Sequence, residues 1–186
     1  MFRDIVFPSK NEDEFIDMAM KLGYESICFC YKPKDIVNYE SDKIKIIVAA
    51  IIEKYDDIKK SKEADLLMTS SENRKLMEKV DFVYDLETSD KGDHMHYRQG
   101  GLSQINAKIM KGVGLSFANL LDDKERPKRM GRFIQNIKIC RKYKLKTYIG
   151  SFAKEPYEMR AAKDLISLFF TFGMHPKKAK DSLMYT

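Results

Sequence analysis

Apolar residues recur along this chain with two alternating periods. Short apolar runs of strand length are separated by stretches in which apolar positions return every three or four residues, the spacing that gives a helix one buried stripe. Residues 3–7 read as a first strand, stopped by Pro8. Asn11 and Glu14 are spaced as a capping box, and Phe15, Ala19 and Leu22 follow on one helical face. Gly23 is placed to end that helix in a left-handed turn. Further strands are expected at 25–31, 44–52, 64–69, 81–86, 113–117 and 146–150, and helices at 71–77, 101–110, 127–143, 160–172 and 176–183.

Seven strands with helical crossovers describe an α/β fold built on a parallel sheet. The third run, "IKIIVAAII", is apolar on both faces, as a strand covered on both sides requires. A doubly wound sheet and a barrel both satisfy this alternation. No repeat, low-complexity tract or Pro/Gly/Ser linker divides the chain, so residues 1–186 are read as one domain.

Composition narrows the class. A hydrophobic content of 44% is that of a globular protein, and the net charge of +6 points weakly to a polyanionic partner. Three cysteines argue against a disulfide framework and for a reducing compartment. Cys28 and Cys30 alternate on a strand and are read as core packing rather than half of a zinc site. No apolar run approaches the length of a membrane span, and the first residues lack a signal peptide's apolar core, so a cytoplasmic protein is expected.

The segment "DLETSDKGDHMH" holds a dense group of potential ligands: Asp85, Glu87, Asp90, Asp93, His94 and His96. An H-x-H pair on a strand presents both imidazoles to one side, a device that holds catalytic metals. That pattern defines one alternative, a stand-alone metal-dependent phosphoesterase. The interleaved Ser, Lys and Gly favour a solvated loop instead, with no metal bound.

Acids are nearly absent between Glu125 and Glu155, where Lys and Arg crowd. In the helix opened by Pro127, residues Met130, Phe133, Ile134, Ile137 and Cys140 trace a buried stripe. Lys128, Arg132, Gln135, Lys138 and Lys142 then fall on the other side, a face able to neutralise backbone phosphates. Lys154 follows the seventh strand, at the end where α/β proteins bind ligands. Arg160 and Asp164 are four apart at a helix start, spaced to pair, with Asp164 orienting Arg160. Gly112-x-Gly114 lacks the rest of a dinucleotide fingerprint and is read as packing. No set of nucleophile, base and acid emerges, and no catalytic residue is assigned.

These residues also carry a resemblance. Arg98-x-x-Gly101-Leu102, the small segment Gly112–Ser116 and the Arg-rich helix are followed by Gly150-Ser151-Phe152-Ala153, Arg160-x-x-x-Asp164 and Phe172-Gly173-Met174. In that order they look like the archaeal and eukaryotic ribonuclease P protein component 3 family. One departure is Phe152, where a second small residue is expected in the turn.

The resemblance implies a TIM-barrel-like fold of about seven parallel strands, related to metal-dependent hydrolases of the polymerase-and-histidinol-phosphatase type. It implies a protein subunit of an endoribonuclease that removes the 5′ leader of precursor tRNA, with catalysis carried by RNA. Mg²⁺ is then required by the RNA, and no cofactor is bound by this chain. Implied partners are ribonuclease P RNA, precursor tRNA through the holoenzyme, and a small ferredoxin-like protein subunit in a paired heterotetramer. The residues it carries over are Arg74, His96, Arg98, Lys108, Lys142, Arg160 and Asp164.

Overall fold

In the computed structural model, residues 1–37, 39–90, 92–93, 95 and 99–184 are described. The strands are β1 (Arg3–Val6), β2 (Ser26–Tyr31), β3 (Lys45–Ile51), β4 (Leu66–Thr69), β5 (Phe82–Val83), β6 (Gly112–Ser116) and β7 (Lys146–Gly150). All pair in parallel, and their order in space follows their order in the chain. A parallel bridge joins Val6 to Ala153 just beyond β7. Phe152 N–H donates to Ile5 O at 2.7 Å and Phe7 N–H to Ala153 O at 2.8 Å, so the sheet curls into a nearly closed barrel. The barrel, and not the doubly wound sheet, is the architecture.

The helices are α1 (Glu12–Lys21), α2 (Tyr55–Lys60), α3 (Arg74–Lys79), α4 (Gln104–Ala107), α5 (Arg126–Tyr143), α6 (Ala162–Thr171) and α7 (Pro176–Ser182). Among the described residues no helix is long and apolar enough to cross a membrane.

Period-two alternation sorts the strand residues into two cores. Ile5, Cys28, Cys30, Ile47, Ala49, Met68, Phe82 and Tyr148 fill the barrel interior. Val6, Ile27, Phe29, Val48, Ala50, Val83, Val113 and Ile149 pack outward against the helices. Cys28 and Cys30 share the interior face, as their alternation requires. The two glycines of β6 make room for the rings beside them. A Cβ on Gly112 would lie 2.7 Å from Tyr148 Cε2, and one on Gly114 would lie 2.9 Å from Tyr84 Cβ and 3.1 Å from Phe152 Cζ. Small residues on β6 thus let aromatic residues from both neighbouring strands meet, with Phe82 stacked on Tyr148 at 4.4 Å between centroids.

Several local expectations change. Asn11 does not cap α1 with its side chain; its Oδ1 accepts from Ser9 N–H at 2.8 Å. Strand β5 is only two residues long because Asp85 turns the backbone into the left-handed region, φ 59°. Helix α4 is short because Gly101, with φ 78°, sits against Leu86 O, where no side chain fits. Ser103 then caps α4, accepting from Asn106 N–H at 3.0 Å. Helix α2 was not anticipated. Its start is stabilised by Asp57, whose Oδ2 accepts from Lys54 N–H at 2.9 Å and from Glu53 N–H at 3.2 Å.

Candidate nucleic-acid interface and the barrel mouth

In a parallel barrel each helix begins near the C-terminal ends of the strands and returns to their N-terminal ends. Helix α5, with eighteen residues, therefore runs the barrel's height, about 27 Å at 1.5 Å per residue. Its cations divide into two groups. Near its start, Arg126 pairs with Asp123, Lys128 with Glu125 at 3.2 Å and Arg129 with Asp122 at 3.5 Å. Toward its end, Lys138, Arg141, Lys142 and Lys144 are exposed and form no ion pair among the described residues. Cations there also complement the helix's negative end. Lys142 Nζ donates to Gln104 Oε1 at 3.4 Å and lies 5.5 Å from the Tyr143 ring, which seats it beside α4 and the exposed Lys108.

Arg132 is a correction. It does not join the outward face: its side chain is 1% exposed. Nη1 donates to Glu87 O at 2.9 Å and Ser89 O at 2.6 Å, and Nε and Nη2 reach Asp93 Oδ1 at 3.2 and 3.1 Å. One turn on, Asn136 Nδ2 donates to Gly100 O at 2.7 Å. Arg132 and Asn136 together tie Glu87, Ser89, Asp93 and Gly100 to α5. Helical periodicity does not announce this burial: at 100° per residue Arg132 lies about 80° beyond Cys140, the nearest residue of the stripe. Met130, expected inside the stripe, is 37% exposed.

Arg160 sits in the loop before α6, held by three separate elements. Its N–H donates to Ser151 Oγ at 3.0 Å, and its carbonyl accepts from Tyr24 OH at 2.7 Å. Its guanidinium donates to Tyr157 O and Met159 O at 3.0 and 2.8 Å and lies 4.9 Å from the Phe117 ring centroid. The expected pair with Asp164 does not form: Asp164 is exposed in the first turn of α6, and the guanidinium turns to these carbonyls instead. Arg74 is exposed at the first position of α3, and Lys154 is exposed just after β7. His94, His96 and Arg98 lie outside the described residues.

The structure therefore does not gather the candidate residues into one patch. Arg74, Lys128, Lys154, Arg160 and Asp164 lie toward the C-terminal mouth of the barrel, Lys108 and Lys142 toward the opposite end, and Lys138 between them.

The mouth contains a feature that sequence reasoning treated as loop. Asp85, Asn119, Lys154 and Glu158 surround a cavity of about 300 Å³ that reaches Phe7 and Phe152. Asn119 Nδ2 donates to Asp85 Oδ1 at 2.8 Å and to Glu87 Oε1 at 2.7 Å. Glu87 is fully buried, which pushes its carboxyl up to about 8 despite that hydrogen bond. Burial also raises Asp85, while Asn119, Lys154 and Arg129 pull the other way. Among the described residues no three His, Cys, Asp or Glu side chains are grouped as metal ligands.

The comparisons agree with this architecture. No protein-family model matches the chain. Ribonuclease P protein component 3 of Methanococcus vannielii is 26% identical over 188 residues, covering 91% of this chain and 73% of that protein. That likeness bears out the resemblance read from the motifs. A chain in a cryo-EM structure of archaeal ribonuclease P with mature tRNA superposes with a TM-score of 0.72 at 17% identity, covering 96% of this chain and 87% of that one. A crystal structure of an uncharacterized protein superposes with a TM-score of 0.57 at 8% identity, covering 98% and 72%. The expected barrel of seven parallel strands is thus the fold these chains share.

Proposed function

We infer that this chain is a protein subunit of ribonuclease P, of the component 3 kind, supporting removal of the 5′ leader from precursor tRNA. The observation that carries this reading is the nearly end-to-end sequence match to ribonuclease P protein component 3. A barrel superposing over almost the whole chain on a component of an archaeal ribonuclease P is consistent with it.

In this reading the chemistry belongs to the RNA and its Mg²⁺, and the protein contributes charge and shape. The cations at the end of α5, unopposed by acids, are placed to neutralise phosphates and release their counterions. Lys108, Lys138 and Lys142 form that surface, and Arg74, Lys128, Lys154 and Arg160 offer a second one at the mouth. Two charged regions at opposite ends suit a subunit that bridges separated strands of one RNA, or an RNA and a small ferredoxin-like protein. Arg132 contributes indirectly, by holding Glu87, Ser89 and Asp93 against α5.

The test is cleavage of precursor tRNA at limiting Mg²⁺ by the catalytic RNA and the ferredoxin-like partner, with and without this chain. Cleavage that requires the RNA and rises on adding the chain supports the reading. Cleavage by the chain and a metal alone would replace it with the phosphoesterase.

A further inference from the structure

The cavity at the barrel mouth has a chemistry that general phosphate binding does not explain. Its floor is aromatic: Phe7 lies 6.1 Å from Phe152 and 5.9 Å from Tyr84, centroid to centroid, and Phe7 is the half-buried ring of the three. Its wall is a set of acceptors. Asn119 commits both amide hydrogens to Asp85 and Glu87, so what it has left for a ligand is its Oδ1. Asp85 Oδ1 accepts from Asn119, and among the described residues no hydrogen bond reaches its Oδ2. Behind them Glu87 Oε2 is buried and has no partner among the described residues. The cation at the rim is Lys154, which forms no ion pair among the described residues.

An aromatic floor with a carboxylate on its wall fits a planar ring bearing adjacent N–H donors. Among the nucleobases only guanine presents two such donors side by side, N1–H and N2–H, to a single carboxylate. Adenine and cytosine alternate donor and acceptor on that edge, and uracil places its one N–H between two carbonyls. The rim acids fit the same picture. Asp122 is paired with Arg129, and Glu158 Oε2 accepts from the N–H groups of Lys154 and Glu155 at 2.9 and 3.3 Å. They make the cavity poor for a phosphate while leaving Lys154 to meet one outside it. A volume of about 300 Å³ is at the small end of ligand sites and suits one base.

We propose that this cavity is a subsite for one unpaired guanine nucleotide, stacked on Phe7, with its Watson–Crick edge on Asp85 and its phosphate at Lys154. Recognition of a splayed-out base by stacking and edge hydrogen bonds is the usual way single-stranded RNA is read. That the guanine belongs to an RNA rests on the ribonuclease P reading; the base chemistry does not.

The experiment is fluorescence anisotropy of the full chain with labelled pentanucleotides UUGUU, UUAUU, UUCUU and UUUUU, with competition by 5′-GMP. UUGUU should bind about tenfold more tightly than the other three, the discrimination of one bidentate base contact. Replacing guanine by inosine, which lacks the N2 amine, should remove most of that preference without altering the protein. Asp85→Asn should abolish it, and Asn suits the left-handed backbone there. Lys154→Ala should weaken all four oligonucleotides alike. GMP competing more tightly than UUGUU would overturn the RNA source and leave a free nucleotide as the ligand. Equal affinity for all four, or a preference that survives both inosine and Asp85→Asn, would overturn the subsite. Stimulation of precursor-tRNA cleavage that persists while the preference is absent would leave the subunit reading standing and remove only this site.

Discussion

Asp4 Oδ1 accepts the backbone N–H of Ser151 at 2.6 Å, joining residues 147 apart in sequence across the barrel seam. The same Ser151 receives the Arg160 N–H on its hydroxyl, so the seam also sets where Arg160 stands. Asp4→Ala leaves a buried N–H without its acceptor and should destabilise the fold by about 1 to 3 kcal/mol. Asp4→Asn keeps an acceptor oxygen and should cost less. Thermal unfolding of the two variants at one pH checks the order; equal losses would mean that the contact is not what closes the seam.

Burial raises the Asp4 carboxyl to about 6 and that of Glu87 to about 8. Each therefore binds its proton more tightly folded than unfolded. The associated stability is fully present below the ordinary carboxylate range near 4, and is lost as pH rises through 6 for Asp4 and through 8 for Glu87. Glu87→Gln keeps the acceptor for Asn119 and removes the charge. The variant should match or trail the native chain at pH 5 and exceed it by on the order of 2 kcal/mol at pH 9. Urea unfolding at the two pH values reads the crossover directly.

Arg132 and Lys138 stand six residues apart on one helix and should behave oppositely. Arg132→Ala removes a buried cation from Asp93 and two carbonyls and should cost about 3 kcal/mol or more. Lys138→Ala should leave stability within about 0.5 kcal/mol. Its effect should appear in RNA affinity, with the salt slope falling by about 0.7 to 0.9 for one lost phosphate contact. A normal salt slope in Lys138→Ala would remove that residue from the interface.

Phe152 occupies the left-handed region, φ 51°, although it is not glycine. Strain there is worth about 1 to 3 kcal/mol. Its ring is 1% exposed and packs 5.9 Å from Tyr84. Deleting a buried aromatic side chain costs about 3 to 5 kcal/mol, so packing should outweigh strain. Phe152→Gly should therefore lower the melting temperature, and a rise would show that the turn, not the ring, dominates.

The strands were legible in the sequence because each is a short apolar run whose both faces are covered. Residues 146–150 and 26–31 illustrate this: a strand buried on both faces leaves little room for another assignment. The choice of barrel was not legible from these runs, since closure rests on a few bonds made by residues 5–7 with 152–153, and no periodicity encodes them. Arg132 was misplaced because a charged residue outside a helix's apolar stripe looks solvated until the residues that bury it, Glu87, Ser89 and Asp93, are known. The mouth cavity was missed for a related reason. Asp85, Asn119 and Lys154 come from three separate loops, and only the barrel brings them together. Phe152, by contrast, announced itself as an odd residue for its turn, and its positive φ is the physical content of that oddity.

The closing bridge between Val6 and Ala153 has a consequence for synthesis on the ribosome. Strands β1 to β6 can pair in the order in which they emerge, each beside its predecessor, with little entropy lost in bringing neighbours together. The free edge of β1 must wait until residues 151–153 have left the exit tunnel. During that interval the nascent chain presents an open strand edge, the kind that templates pairing with other chains. Prolonged pausing late in translation should therefore raise aggregation more than the same pause early, a vulnerability set by the order in which the seam's two halves are made.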